Sequence, residues 1–185
     1  ILLICICFNF EVMMQLVFHK EIYEKVIVEQ IANSRKWLWI STANIKDLYV
    51  TKGNKMVPFL ELLNDLVARK VAIRLIFARE PGPVFKAELS KYPALKNGLE
   101  WMNCPRVHFK MVVVDGKFAY SGSANLTGAG MGVKGENKRN FESGVISTDP
   151  EFVRSISNEL DQLWIGAYCK NCLRKAYCSE WKRIL

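Results

Sequence analysis

Residues 107–125 read VHFKMVVVDGKFAYSGSAN, two runs of β-favouring residues on either side of an Asp-Gly pair. Alternation along the first run sets His108 and Lys110 on one side of a strand and Val107, Phe109, Met111 and Val113 on the other. Asp115-Gly116 is a strong signal for a two-residue hairpin turn, so residues 107–114 and 117–121 are expected to pair. That register puts Val114 opposite Lys117, Ser121 opposite Lys110 and Ser123 opposite His108. The chain then returns Gly122-Ser123-Ala124-Asn125 to the neighbourhood of His108 and Lys110. Glycine there lets another group approach closely, while Ser123 and Asn125 supply hydroxyl and amide groups.

Outward from this hairpin the chain alternates between helical and extended patterns. Upstream, residues 20–32 carry Ile22, Val26 and Ile31 at helical spacing, and residues 37–43 (WLWISTA) read as a strand. Residues 52–55 form a turn, Pro58 opens a helix with Phe59, Leu62, Leu63, Leu66 and Val67 on one stripe, and residues 71–78 read as a buried strand. Pro81-Gly82-Pro83 ends that strand, and the stretch to Gly98 is mixed. Downstream come a glycine-rich loop over 122–135, a strand over 141–147 and a helix capped by Asp149 with Pro150 at its first position. Such alternation predicts a layered α/β domain. A length of 185 residues, half of them hydrophobic, suits one domain over 1–185, with a core over about 12–166 and a Cys/Lys/Arg-containing extension over 167–185.

A formal net charge of +8 points to an anionic partner, nucleic acid or an acidic membrane surface; an ordinary soluble basic protein is the plainer reading. Residues 1–18 are largely apolar, but Asn9, Glu11 and Gln15 interrupt them short of the roughly 18 apolar residues a membrane helix needs. They carry neither the basic start nor the small-residue cleavage site of a signal peptide. One or two buried strands are expected there, a truncated membrane anchor being the rival. Six cysteines, at 5, 7, 104, 169, 172 and 178, are too sparse for a disulfide scaffold, so a reducing, cytoplasmic setting is expected.

A neutral imidazole, an ammonium and an amide converging on one spot suit a phosphate diester. Lys110 and Asn125 are expected to hold the non-bridging oxygens while His108 attacks phosphorus. A nucleophilic histidine needs its other ring nitrogen oriented by an acceptor, and Glu142, just after the glycine-rich loop, is the candidate.

These residues resemble the phospholipase D superfamily, whose signature is HxK, four residues, Asp, six residues, GSxN. It is complete here as His108-x-Lys110, Asp115 and Gly122-Ser123-x-Asn125, followed by Asn140-x-Glu142. The resemblance covers roughly Lys20 to Trp164 and implies an α-β-α sandwich around a mixed sheet. It further implies metal-independent phosphodiester cleavage through a phosphohistidine, with no catalytic cofactor. His108 takes the nucleophile's place, Lys110 and Asn125 bind phosphate, Ser123 supports them and Asp115 is structural. The family site combines two HxK motifs, and this chain has one, because His19 is followed directly by Lys20. A symmetric homodimer supplies the second, as in the family's single-motif nucleases. A truncated two-motif protein is the rival.

A nuclease acting on DNA or RNA is therefore the leading expectation. A phospholipid hydrolase or transferase at a membrane surface uses the same residues, and a noncatalytic nucleic-acid-binding module is the third possibility. Arg106, Lys134, Lys138 and Arg139 are candidates for a basic rim around the site; solvated loop charge explains them equally well. Cys169, Cys172 and Cys178 have metal-like spacing but supply three ligands where a structural zinc site needs four. Cys104 or His19 completes it only if the fold brings one of them close; otherwise the three belong to an iron–sulfur site or are plain reduced thiols.

Overall fold

The computed structural model describes residues 14–46 and 48–180. The apolar N-terminal run up to residue 13, with Cys5 and Cys7, lies outside the described residues.

The chain opens with β1 (Met14–Phe18) and a short helix α1 (Lys20–Ile22) that continues as a π-helical stretch Tyr23–Val28. There follow β2 (Trp37–Thr42), the hairpin β3 (Tyr49–Lys52) and β4 (Lys55–Pro58), α2 (Phe59–Ala68), and β5 (Ala72–Phe77). Next come α3 (Pro83–Leu89), α4 (Pro93–Gly98), β6 (Leu99–Asn103), β7 (Met111–Val114), β8 (Phe118–Gly122), β9 (Ser143–Ser147) and α5 (Pro150–Trp164). Seven strands form a mixed sheet in the order β1-β9-β8-β7-β2-β5-β6, with β3 and β4 standing apart as a ribbon. Only β2–β5 and β5–β6 run parallel.

Two hydrophobic layers sandwich this sheet. On one face Leu38, Ile40, Leu75, Val112 and Tyr120 pack against Ile22, Ile27, Leu63 and Leu66 of the helices. On the other, Val113, Ala119 and Ile76 meet Val153, Ile156 and Leu160 of α5. The α-β-α sandwich is thus the observed architecture. The start of α5 follows its sequence signals: the Asp149 carboxylate accepts the Phe152 N–H at 2.8 Å, and Pro150 follows.

Several elements differ from expectation. The first strand of the central hairpin begins at Met111 rather than 107, and the last at Ser143 rather than 141. Pro58 precedes α2 as its cap instead of starting it, since it is still paired with Tyr49. Strand β6 and the β3–β4 ribbon were not foreseen, because they lie in short stretches without alternation.

The hairpin register is also one residue off: Val114 faces Phe118 and Met111 faces Ser121. The reason is Asp115. Its carboxylate accepts the backbone N–H groups of Arg35 (2.9 Å), Lys36 (2.8 Å) and Trp37 (2.9 Å) and the Ser34 hydroxyl (3.3 Å). Its own N–H donates to Trp37 O at 2.9 Å. Holding all of these, Asp115 sits at φ 54° and Gly116 at 66°, and Lys117 joins the turn instead of the ladder. The extra residue places Gly122, not Ser121, beside Lys110, where the Gly122 N–H donates to Lys110 O at 3.0 Å.

Candidate active site

Lys110 belongs to the row Val17, Gly144, Gly122, Lys110, Thr42 that ends the sheet where β2 and β5 finish. Its side chain lies on the same face as Val112 and Val114, so the stem is buried and the residue is 7 % exposed. Burial lowers the ammonium from its usual 10.5, and the nearby Glu142 charge opposes that shift. The Lys110 Nζ donates to His108 O at 2.6 Å and lies 3.1 Å from Nδ1 and 3.3 Å from Nε2 of the His108 ring, against the edge between them. His108 itself is exposed. An exposed imidazole beside a partly dehydrated cation is an arrangement chemically able to pair a nucleophile with an anion-binding group.

Asn125 is fixed through its carbonyl. The Asn44 N–H donates to Asn125 Oδ1 at 3.0 Å, and the neighbouring Leu126 N–H donates to Thr42 Oγ1 at 3.0 Å. A backbone donor on the oxygen turns the amide N–H groups the other way, into a cleft of about 550 Å³ that also holds Asn44, Lys46, Thr127, Lys134 and Asn140.

Glu142 is 8 % exposed and accepts the hydroxyl of Ser123 and, at 3.0 Å, the amide of Asn140. The Ser143 N–H donates to Ser123 Oγ at 3.1 Å, which locks that hydroxyl toward the carboxylate. Glu142 therefore differs from its expected role, since it makes no hydrogen bond to His108 of the same chain. Its backbone is clasped by His19: the His19 N–H donates to Glu142 O at 3.0 Å and the Glu142 N–H to His19 Nδ1 at 3.3 Å.

Beneath these groups lies Tyr120, fully buried. A Cβ on Gly122 would stand 2.3 Å from the Tyr120 hydroxyl and 2.6 Å from Ser143 O, and one on Gly144 would stand 2.3 Å from the Tyr120 ring. The two glycines thus make the slot this phenol occupies; the group that Gly122 lets approach is a side chain of its own strand. The Tyr120 hydroxyl makes no hydrogen bond of good geometry among the described residues, although the Ala124 backbone lies near its oxygen. Burial pushes its pKa up to about 12, with the Ala124 backbone opposing and the Glu142 charge adding. Tyr120→Phe removes an unpaired buried hydroxyl and is expected to leave stability unchanged or raise it by about 1 kcal/mol, read as the urea midpoint; a lower midpoint would show that the hydroxyl is paired.

Residues 27–164 match the family model described as "Cardiolipin synthase, PLD-like domain". The chain belongs to the phospholipase D-like family. Its fold is that of Nuc, a phospholipase D family member from Salmonella typhimurium, with 18% identity, 83% of this chain and 95% of that one covered, and a TM-score of 0.59. NucT from Helicobacter pylori aligns over 81% of this chain and 95% of its own at 12% identity and a TM-score of 0.58. TrmBL2, an archaeal chromatin protein, aligns over 82% of this chain and 51% of its own at 14% identity and a TM-score of 0.57. At such identities these likenesses concern the fold. A comparison with curated protein sequences gives no match. Family membership makes the chain a phosphodiesterase-type member of the phospholipase D superfamily.

The remaining sequence candidates scatter. Lys134 lines the cleft beside Asn125, while Lys138 and Arg139 belong to the turn at Glu136–Lys138, Arg139 paired with Glu136 at 3.4 Å. Arg106 is not part of a rim with them: it lines a separate cavity with Cys104, Cys169, Cys172 and Cys178. His19 is at Glu142 and not with these cysteines. Asn44 and Lys46 escaped the sequence reading, because they reach the site from a loop far along the chain and carry no motif, while His19, weighed there as a second HxK histidine or a metal ligand, instead contacts the Glu142 backbone. No helix among the described residues is long and apolar enough to cross a membrane.

Proposed function

We propose that this phospholipase D-like chain is a metal-independent nuclease that works as a homodimer through a phosphohistidine intermediate. The observation that carries the reading is the His108–Lys110 contact at the end of the sheet where Thr42 also reaches Asn125, which itself lines a cleft with the cations Lys46 and Lys134. Lys110 and the Asn125 amide hold the non-bridging phosphate oxygens. A His108 ring nitrogen attacks phosphorus, the P–O bond to the leaving group breaks, and the departing oxygen takes a proton from the His108 of a second copy. Water then attacks phosphorus and gives a proton to that second histidine as the P–N bond breaks and restores the first. Cations along the cleft suit a polyanion that extends past the reacting phosphate.

The second copy is argued from what one chain lacks. The His108 ring meets only Lys110, a donor, so neither a second histidine nor an acceptor for its other nitrogen comes from the described residues. Beside the site, Phe141 is 92 % exposed and stacks edge-on against His19 at 5.4 Å, and Met14, Leu16 and Phe18 extend this apolar surface along β1. An exposed apolar surface continuous with an incomplete site fits a self-complementary interface.

The test is cleavage of labelled single-stranded and duplex DNA and RNA, with EDTA added together with the substrate, alongside vesicles of phosphatidylglycerol and cardiolipin. Cutting of nucleic acid that persists in EDTA is expected. Release of lipid headgroups with nucleic acid untouched would replace the nuclease by a phospholipid hydrolase or transferase. Binding without cleavage of either would leave a noncatalytic nucleic-acid-binding module.

A further inference from the structure

After α5 the chain runs through turns and a single 3-10 turn, Lys175–Tyr177, to Glu180. No residue over 165–180 is buried; Leu173 is 99 % exposed and Tyr177 79 %. A segment with so little apolar burial does not offset the conformational entropy of holding one shape, so something other than a core must fix it. Its side chains that line the cavity beneath it are its three cysteines with Tyr168 and Glu180. Cys169, Cys172 and Cys178 line a cavity of about 270 Å³ whose opposite wall carries Cys104, at the end of β6.

Two features of this cavity suit a thiolate site. Cys169 and Cys172 form a turn, Cys172 N–H to Cys169 O at 3.1 Å, and the Arg174 N–H donates to Cys172 Sγ at 3.4 Å, an orientation that favours a charged sulfur. The Arg106 guanidinium lies beside the same sulfur and offsets negative charge. All four cysteines line this one cavity. All four are free cysteines.

We propose that Cys104, Cys169, Cys172 and Cys178 bind one structural zinc ion that staples the C-terminal segment to the end of β6. Among the described residues no three side chains converge closely enough to hold a metal; binding therefore includes rotation of the cysteine side chains. Four thiols and Zn²⁺ give a tetrathiolate of net charge −2 and four released protons, so affinity falls as the pH drops. The missing fourth ligand of the Cys-x2-Cys-x5-Cys spacing is thus supplied by a residue some 65 positions upstream. Cys104 also starts the turn that leads to His108, its carbonyl accepting the Val107 N–H at 2.9 Å while its own N–H donates to Phe77 O at 2.8 Å. The metal would therefore hold the entry to the catalytic segment as well as the tail.

The test is metal content of the full chain purified without chelator, with anaerobic cobalt(II) titration of the metal-stripped protein. One zinc per chain is expected, together with the visible bands of tetrahedral thiolate cobalt. Cys178→Ser, in the exposed segment, should abolish stoichiometric binding, as should Cys104→Ser, while Cys5→Ser keeps it. Trypsin should cut the chain after Lys170, Arg174 or Lys175 faster once zinc is removed. Zinc-free protein with no cobalt–thiolate spectrum overturns the proposal, as does stoichiometric iron in place of zinc. None of these readouts depends on nuclease activity.

Discussion

Replacing His108 by alanine is expected to lower phosphodiester cleavage by roughly 10⁴-fold or more, since losing a covalent nucleophile removes a whole reaction path. The variant should melt like the parent, because the ring is exposed and Lys110 is its hydrogen-bonding partner among the described residues. The same substitution tests whether the site is shared. Coexpressed with an excess of His108→Ala chain, the unsubstituted chain is drawn into mixed dimers that hold an attacking histidine without its acid partner, or the reverse. Activity per unsubstituted chain should then fall steeply as the variant's share rises. Activity that simply follows the unsubstituted chain would place a full catalytic set in one copy. Retained cleavage by the pure variant would remove His108 from the nucleophile's role altogether.

Asp115→Ala is expected to be the most destabilising single change in the hairpin, about 3 kcal/mol or more. It strips a charged acceptor from three backbone donors and a hydroxyl, of which the Trp37 N–H and the Ser34 hydroxyl are partly buried. Asp115→Asn should cost nearly as much, because one of its two polar atoms becomes a donor facing donors. The pH dependence has a definite sign. Burial raises the Asp115 carboxyl, but the N–H groups of Trp37, Lys36 and Arg35 and the Ser34 hydroxyl outweigh it and hold the pKa below 3.8. A carboxylate depressed in the folded state stabilises at pH values above its unfolded pKa, and that contribution is lost as the pH falls through the folded one. Urea midpoints of the parent should therefore drop below about pH 4 more than those of Asp115→Ala. Parallel curves for the two proteins would show that the depressed carboxylate does not contribute.

Why the sequence showed the site but misplaced its register is visible in Asp115. The Asp-Gly pair announced a turn correctly, and the local spacing of His108, Lys110, Ser123 and Asn125 pointed to the candidate site. The loop length, however, was decided by contacts with Arg35, Lys36 and Trp37, some 80 residues away, and no local pattern encodes those. Glu142 shows the same limit in reverse. Its place in the site was legible, but its partners Ser123, Asn140 and His19 follow from how β9 pairs with β8 and β1. The helix after Asp149 was read accurately because cap, proline and apolar stripe all lie within one short stretch.

The slot around Tyr120 binds three positions into one steric unit. A phenol at 120 excludes any side chain at 122 and 144; a smaller residue at 120 relieves the closest contacts at 144, while the Ser143 carbonyl still closes 122. Related chains should therefore change residue 144 only after residue 120 has shrunk, and should hold glycine at 122. A methyl added at 122 has nowhere to go, since the Ser143 carbonyl stands 2.6 Å from it whatever occupies 120. The first glycine of the GSxN run is thus a record of what lies under the site, and a graft of that run onto another sheet succeeds only where the space beneath it matches.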